Sequence, residues 1–189
     1  MCIRDSSYIA VFGDLDGDTD IDIYVVNAPN EQNIIWLNDG NENFTSRTIS
    51  GDLWNSSDVE IADFDWDTDL DLYVTNYSNQ QNRLRINDGS GNFTSKDISW
   101  DVWSSQGAAV GDIDGDGDVD IYVANSYQTN KLWLNDGNAN FTLNEFSDQT
   151  RWSYDVEMVD FDGDGDLDIH VANYYDQNNL RENLGWWVF

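Results

Sequence analysis

The sequence predicts an all-β fold, a β-propeller segment of about four blades in which each blade is a four-stranded antiparallel meander. Three observations carry that prediction. A unit of 48 or 49 residues recurs four times, each copy divides into short β-branched or apolar runs punctuated by turn residues, and helical periodicity is absent. A solenoid would have shorter repeats with fewer strands. Propellers have about four to eight blades, so the chain is expected to form about half of a seven- or eight-bladed ring, its fourth copy stopping before the last strand.

The copies are plain at their Asp clusters. Residues 14–22 read DLDGDTDID, 63–71 DFDWDTDLD, 112–120 DIDGDGDVD and 160–168 DFDGDGDLD, spaced 49, 49 and 48 apart. The one lost residue lies between Asn125 and Asn130, a span six long in the first two copies (Asn27 to Asn33, Asn76 to Asn82), which marks that segment as a loop. The first strand of each unit is read at residues 9–12, 59–62, 108–111 and 156–159. The second follows the Asp cluster, at 21–26 and its equivalents, and is rich in β-branched residues. The third is read at 34–37, 83–86 and 131–134. Each of these three runs into Asn-Asp-Gly, a hairpin signal because Asn and Gly tolerate the positive φ of tight turns. The fourth starts at Phe44, Phe93 and Phe141, and the joins between units read as irregular. The units thus span about 7–54, 55–103, 104–152 and 153–189.

Composition narrows the function. Against 8 Lys plus Arg stand 37 Asp plus Glu, a formal charge of −29 on 189 residues. Phosphate backbones and anionic membranes would be repelled, so no nucleic acid partner is expected, whereas cations are attracted. With 40% hydrophobic residues, 9 Trp, 9 Tyr and 8 Phe, the chain is too rich in core formers for a disordered acidic tail. No apolar run nears the roughly 18 residues that span a bilayer. The opening residues 1–6, MCIRDS, fit neither a signal peptide nor the repeat. They resemble the translation of a transposon sequencing adapter, as at the edge of a metagenomic read, and are expected to be a non-native scar that includes the only Cys. The end at Trp186, Trp187, Val188 and Phe189 is read as a truncation.

Twenty of the acidic residues fall in the four clusters. Carboxylates packed this closely repel one another unless a countercharge is present. An oxygen-only donor set, with no Cys and no His in the clusters, points to Ca²⁺ ahead of Mg²⁺ and away from zinc or copper. An EF-hand fails, since it needs a bidentate Glu at loop position twelve, where this chain has Val25, Val74, Val123 and Val171 between flanking strands.

With these residues in view, the units resemble the FG-GAP or VCBS repeats of bacterial surface proteins, related to the calcium-bearing blades of the integrin α-chain propeller. The resemblance covers about residues 8–185, and residues 26–29, VNAP, are similar to that motif's Val-Gly-Ala-Pro. It implies that loop positions one, three, five and nine donate carboxylate oxygens and position seven a backbone carbonyl. These are Asp14, Asp16, Asp18 and Asp22 with Asp20; Asp63, Asp65, Asp67 and Asp71 with Asp69; Asp112, Asp114, Asp116 and Asp120 with Asp118; and Asp160, Asp162, Asp164 and Asp168 with Asp166. Up to four ions are implied. Loops three and four have Gly at positions four and six (Gly115, Gly117, Gly163, Gly165), loop one has Gly17 and Thr19, and loop two has Trp66 and Thr68. If position four needs positive φ, the second site is the weakest and the first comes next.

In a meander the calcium loops and the Asn-Asp-Gly turns share one face. The opposite face receives Tyr77, Tyr127, Tyr174 and Tyr175 among Asn and Gln, and the joins bearing Trp54, Trp100, Trp103 and Trp152. Aromatic rings beside amides suit a sugar or a protein contact. The candidate ligand residues are Tyr77, Tyr127, Tyr174, Tyr175 and Trp103, while the repeated tryptophans are equally read as packing between blades and His170 as a core substitute for Tyr24, Tyr73 and Tyr122. The expectation is a non-catalytic calcium-binding module of a secreted, periplasmic or cell-surface protein, presenting a face for adhesion or for a glycan or protein ligand. The alternatives are part of a propeller enzyme such as a polysaccharide lyase, or a structural spacer.

Overall fold

The computed structural model describes residues 7–27, 31–51, 54–98, 102–144 and 150–185. Residues 1–6, Ala28 and Pro29, Trp100 and the terminal Trp186, Trp187, Val188 and Phe189 lie outside them. The described residues hold seventeen strands and no helix, hence none long and apolar enough to cross a membrane.

Repeat one is the sheet β1 (Ser7–Gly13), β2 (Asp22–Asn27), β3 (Ile34–Asn38) and β4 (Phe44–Thr48), in sequence order. Repeat two has β5 (Ser56–Ala62), β6 (Asp71–Asn76), a two-residue β7 (Gln80–Gln81), β8 (Arg83–Asn87) and β9 (Phe93–Lys96). After β10 (Val102–Trp103), repeat three has β11 (Ser105–Gly111), β12 (Asp120–Gln128), β13 (Lys131–Asn135) and β14 (Phe141–Asn144), and repeat four has β15 (Arg151–Val159), β16 (Asp168–Asn173) and β17 (Asn179–Arg181). Every neighbouring pair is antiparallel. The all-β meander and the fourth-strand starts at Phe44, Phe93 and Phe141 are as the sequence predicts.

Two features depart from the prediction. The joins are not wholly irregular: β7 pairs with β10, and β12 runs on to pair with β15, so backbone between the second and third strands of one repeat is satisfied by the segment that leads into the next. Each first strand also carries a bulge at one shared position, between Ser7 and Ile9, Ser56 and Asp58, Ser105 and Gly107, and Ser153 and Asp155. A bulge inserts a residue and re-aims its side chain.

The core lies between the sheets, in three clusters. Tyr24, Ile35, Val59 and Leu72 join repeats one and two; Phe64, Leu84, Ala108, Ile121 and Trp133 join two and three; Tyr122, Leu132, Val156 and Ile169 join three and four. The sheets of repeats two and three bury both faces against neighbours, which explains near-continuous burial along β6 and β12. Asn side chains stitch the junctions: Asn33, Asn82 and Asn130 donate through Nδ2 to Ser56, Ser105 and Ser153 Oγ of the following repeat at 3.0, 2.9 and 3.0 Å.

Candidate functional site

Each Asp loop links the first strand of its repeat to the second. At loop position one, Asp14 accepts the N–H groups of Gly17, Asp18 and Thr19 at 2.8 to 3.2 Å, and Asp160 those of Gly163 and Gly165 at 2.7 and 3.1 Å. Position five accepts the N–H of position seven in every loop, Asp18 from Asp20, Asp67 from Asp69, Asp116 from Asp118 and Asp164 from Asp166. The chain is thereby wrapped around its own carboxylates. That wrap needs positive φ at positions four and six: Gly17, Gly115 and Gly163 lie at +77°, +75° and +82°, and Gly117 and Gly165 at +98° and +99°. Loop one places Thr19 at +76°, and loop two places both Trp66 at +63° and Thr68 at +79°. Side chains are disfavoured there, so the strain falls in the order the sequence predicts.

Position nine is wholly buried in all four loops, at Asp22, Asp71, Asp120 and Asp168. One of its oxygens accepts the N–H of position two (Leu15, Phe64, Ile113, Phe161) at 2.8 to 3.1 Å. The other accepts the N–H of the Asn that ends the third strand (Asn38, Asn87, Asn135) or, in repeat four, follows it (Asn183), at 2.7 to 2.9 Å. Position seven turns toward the hairpin: a Cβ on Gly40, Gly89 or Gly137 would lie 2.3, 2.4 or 2.7 Å from the carboxylate of Asp20, Asp69 or Asp118. The Asp loops and the Asn-Asp-Gly turns therefore share one end of the molecule, as predicted.

The residues present fit a hard divalent cation. Carboxylate oxygens converge within 4.8 Å in four groups: Asp14, Asp16 and Asp18; Asp63, Asp65 and Asp71; Asp112, Asp114 and Asp120; Asp160, Asp162 and Asp168. Among them Asp16, Asp65 and Asp112 each have a buried Oδ1 with no hydrogen-bond donor, a costly arrangement that a cation would relieve. Burial, aided by neighbouring carboxylates, holds Asp16, Asp65 and Asp114 above the usual carboxylate range. Burial likewise pushes Asp71 and Asp120 up to about 7, against the pull of their N–H donors.

At the other end of the strands two groups of aromatic residues stand apart. Trp152 is the centre of one, with Tyr127, Tyr174 and Tyr175 at ring separations of 4.7, 4.7 and 6.2 Å. Tyr127 and Tyr175 are 65% and 87% exposed, and both hold positive φ. The other group lines a cavity of about 370 Å³, which Tyr8, Tyr77 and Tyr154 share with Asn55, Gln106, Asp58 and Asp155. Deeper along the same strands, burial first and then Asp58, Glu157 and Asp155 push Glu60 up to about 8, while burial brings Asp58 to about 6.

A family model described as an FG-GAP-like repeat matches the chain three times, over residues 14–74, 67–123 and 112–171. The chain belongs to the FG-GAP-like repeat family. Among solved structures, the FG-GAP-like chain is similar to an Agrocybe aegerita lectin whose structure concerns specific recognition of non-reducing terminal N-acetylglucosamine. That likeness has a TM-score of 0.60 at 19% identity, covering 88% of this chain and 46% of the lectin. The FG-GAP-like chain thus has the fold of a propeller segment and spans less than half the lectin's length. No curated protein sequence matches it.

Within the FG-GAP-like repeats, positions one and three converge in every loop, joined by position nine in three loops and by Asp18 in the first. The five predicted ligand residues do not form one site. Tyr127, Tyr174 and Tyr175 cluster, Tyr77 lies on the cavity, and Trp103 packs beneath Lys131, 5.1 Å from its ring centre, much as Trp54 packs beneath Arg83 at 4.5 Å. Trp152 is not their equivalent. Its carbonyl accepts from Tyr174 as those of Asn55 and Ser104 accept from Tyr77 and Ser126, so it sits one register on from Trp54 and Trp103. His170 takes the strand position of the buried Tyr24, Tyr73 and Tyr122 and touches Phe161. Sequence reasoning missed Tyr8, Tyr154, Asp58 and Asp155 at the cavity. The bulges that aim positions 8 and 154 leave no mark in the alternation pattern.

Proposed function

We propose that the chain is a calcium-binding β-propeller repeat module of an exported or cell-surface protein, acting by recognition rather than catalysis. The observation that carries the proposal is the fourfold recurrence of converging Asp oxygens with buried, donorless Oδ1 atoms in three of the loops. Positions one, three, five and nine would supply carboxylates and position seven (Asp20, Asp69, Asp118, Asp166) its carbonyl, five donor groups that bidentate binding or water would bring to the six to eight oxygens Ca²⁺ takes. The ions would neutralise the loops and hold the blades. The aromatic and amide residues at the opposite end, Tyr127, Trp152, Tyr174 and Tyr175 above all, would then take a glycan or protein ligand. Support for a glycan comes from ring faces beside amides and from the lectin that shares the fold.

Calorimetric calcium titration of the chelator-treated chain, with circular dichroism in parallel, tests the metal role, and a glycan array including terminal N-acetylglucosamine tests the ligand class. Three or four sub-millimolar sites with a gain of β structure are expected. A folded chain that binds no calcium would overturn the proposal.

A further inference from the structure

The three junctions between repeats are built from one set of contacts, and these identify what the two outer faces accept. Looking backward along the chain, repeats two, three and four present Ile61 and Leu70, Val110 and Val119, and Met158 and Leu167 to the preceding sheet. Each also sends an Asn Nδ2 to the carbonyl of loop position two there: Asn87 to Leu15, Asn135 to Phe64 and Asn183 to Ile113, at 2.8 to 2.9 Å. Looking forward, repeats one, two and three present a small residue at the end of the first strand (Gly13, Ala62, Gly111), a buried apolar residue at loop position two, the buried Ile35, Leu84 or Leu132, and the Asn that bonds the next repeat's Ser.

The outer faces hold the same residues without neighbours. On repeat one, Phe12 and Ile21 occupy the positions of Ile61 and Leu70 yet are 64% and 54% exposed. Among the described residues, Asn38 Nδ2 donates within its own repeat, to the Ile21 carbonyl, and Ser7 Oγ donates to Asn27. On repeat four, Phe161 and Leu180 stand where Leu15 and Ile35 are buried, yet are 51% exposed each. Asn178, at the position of the buried Asn33, Asn82 and Asn130, is exposed. Among the described residues these two faces are uncovered and are the two halves of one junction.

We infer that repeat four of one copy of this chain docks onto repeat one of a second copy, continuing the internal junctions. Leu180 and Phe161 of one copy meet Phe12 and Ile21 of the other, Asn178 donates to the other copy's Ser7 Oγ, and the other copy's Asn38 donates to the Phe161 carbonyl. Such a contact is heterologous: it closes into a ring where the rotation allows and otherwise grows as an open chain. The tight point is Val159. It holds the place of Gly13 and Gly111, where an added Cβ would lie 2.7 Å from Leu70 and 2.6 Å from Leu167. Self-repulsion at a net charge of −29 opposes association and is relieved by salt.

Sedimentation velocity on the full chain across a concentration series, at physiological salt with calcium, tests this inference. Reversible dimers or larger species are expected. F12D and L180D should each reduce association when alone, whereas an equimolar mixture should give a one-to-one complex, because each variant retains the half-junction the other lacks. V159G should lower the dissociation constant severalfold, opposite to the loss expected if Val159 were part of a non-specific apolar contact. A monomer at all concentrations, a mixture that does not associate, or weakening by V159G would overturn the inference. Circular dichroism of each variant confirms that it is folded before it is scored.

Discussion

Substituting Trp66 by glycine should strengthen the second calcium site, contrary to the usual cost of removing an aromatic residue. Trp66 lies at φ +63° and is 64% exposed. A side chain in this left-handed region costs roughly 1–2 kcal/mol, and a ring this exposed recovers little of it, although it lies near loop three, 3.9 Å from where a Cβ on Gly117 would sit. Against the gain stands the extra freedom of glycine in an unwrapped loop, about 0.4–1 kcal/mol. The net is about 0.5–1 kcal/mol, which converts to a roughly two- to fivefold tighter site because an ion-free loop relaxes strain that binding must re-impose. The amide resonances of residues 67–69 followed through a calcium titration would report this site alone. Gly115→Ala, at φ +75° in loop three, supplies the mirror experiment and should weaken that site. An unchanged or raised midpoint in Trp66→Gly, or no weakening in Gly115→Ala, would refute the claim that backbone strain ranks the sites.

Replacing Asp112 and Asp116 together by Asn should lower the melting temperature in millimolar calcium by the worth of one ion, on the order of 1 kcal/mol, and change little in chelator; equal losses in both would remove the metal role. Calcium binding should release more protons at pH 6.5 than at pH 8.5, because Asp71 and Asp120, pushed up to about 7 by burial, must give up protons to bind the ion; calorimetry in buffers of different ionisation heat measures it. Glu60, pushed up to about 8 from its ordinary 4.5, holds its proton more tightly folded than unfolded. Its contribution to stability is therefore complete below about pH 4.5 and is lost as pH rises through 8. Glu60→Gln should gain on the order of 2–3 kcal/mol at pH 8.5 and nothing at pH 4, at about 1.4 kcal/mol per unit with allowance for partial solvation, as read by denaturant melts at both pH values. Tyr127→Ala, 65% exposed and 4.7 Å from the Trp152 ring, should reduce glycan capture on an array while leaving the melting temperature unchanged.

The strands were legible because repetition removes ambiguity: a run such as residues 21–26 could be a buried helical turn once, but not four times in register between Asp loops and Asn-Asp-Gly turns. The strain at Trp66 was legible for the same reason, since glycines at position four in the other three copies announce a positive φ that the second copy must share. What failed to show was whatever breaks the pattern by a single residue. The bulge at Ser7, Ser56, Ser105 and Ser153 sends position 8 or 154 toward the cavity without changing composition. The register of Trp152 was misread because it lies 49 residues after Trp103, the common spacing, while the strands around it are 48 apart. Asp58 and Glu60 alternate with Val59 and Ile61 as any half-exposed strand would, and only packing beside β11 and β15 reveals how little water they see.

The network around position nine would give bound ions a direction of action. Asp71 binds the N–H of Asn87, and Asn87 in turn sends Nδ2 to the Leu15 carbonyl of the preceding repeat. The same chain of contacts runs from Asp120 through Asn135 to Phe64, and from Asp168 through Asn183 to Ile113. An ion that fixed a loop would thus fix the turn of its own repeat and, through it, the junction behind. Loss of the second ion should loosen the junction of repeats one and two more than that of two and three, and the strained loop two is where such loss comes first. Calcium dependence of ligand capture would then arise at a distance, because the spacing of blades set at the Asp end is read by Tyr127, Trp152 and Tyr174 across the junction of repeats three and four at the other. On that account depletion of the fourth ion would impair recognition, while depletion of the second would cost stability alone.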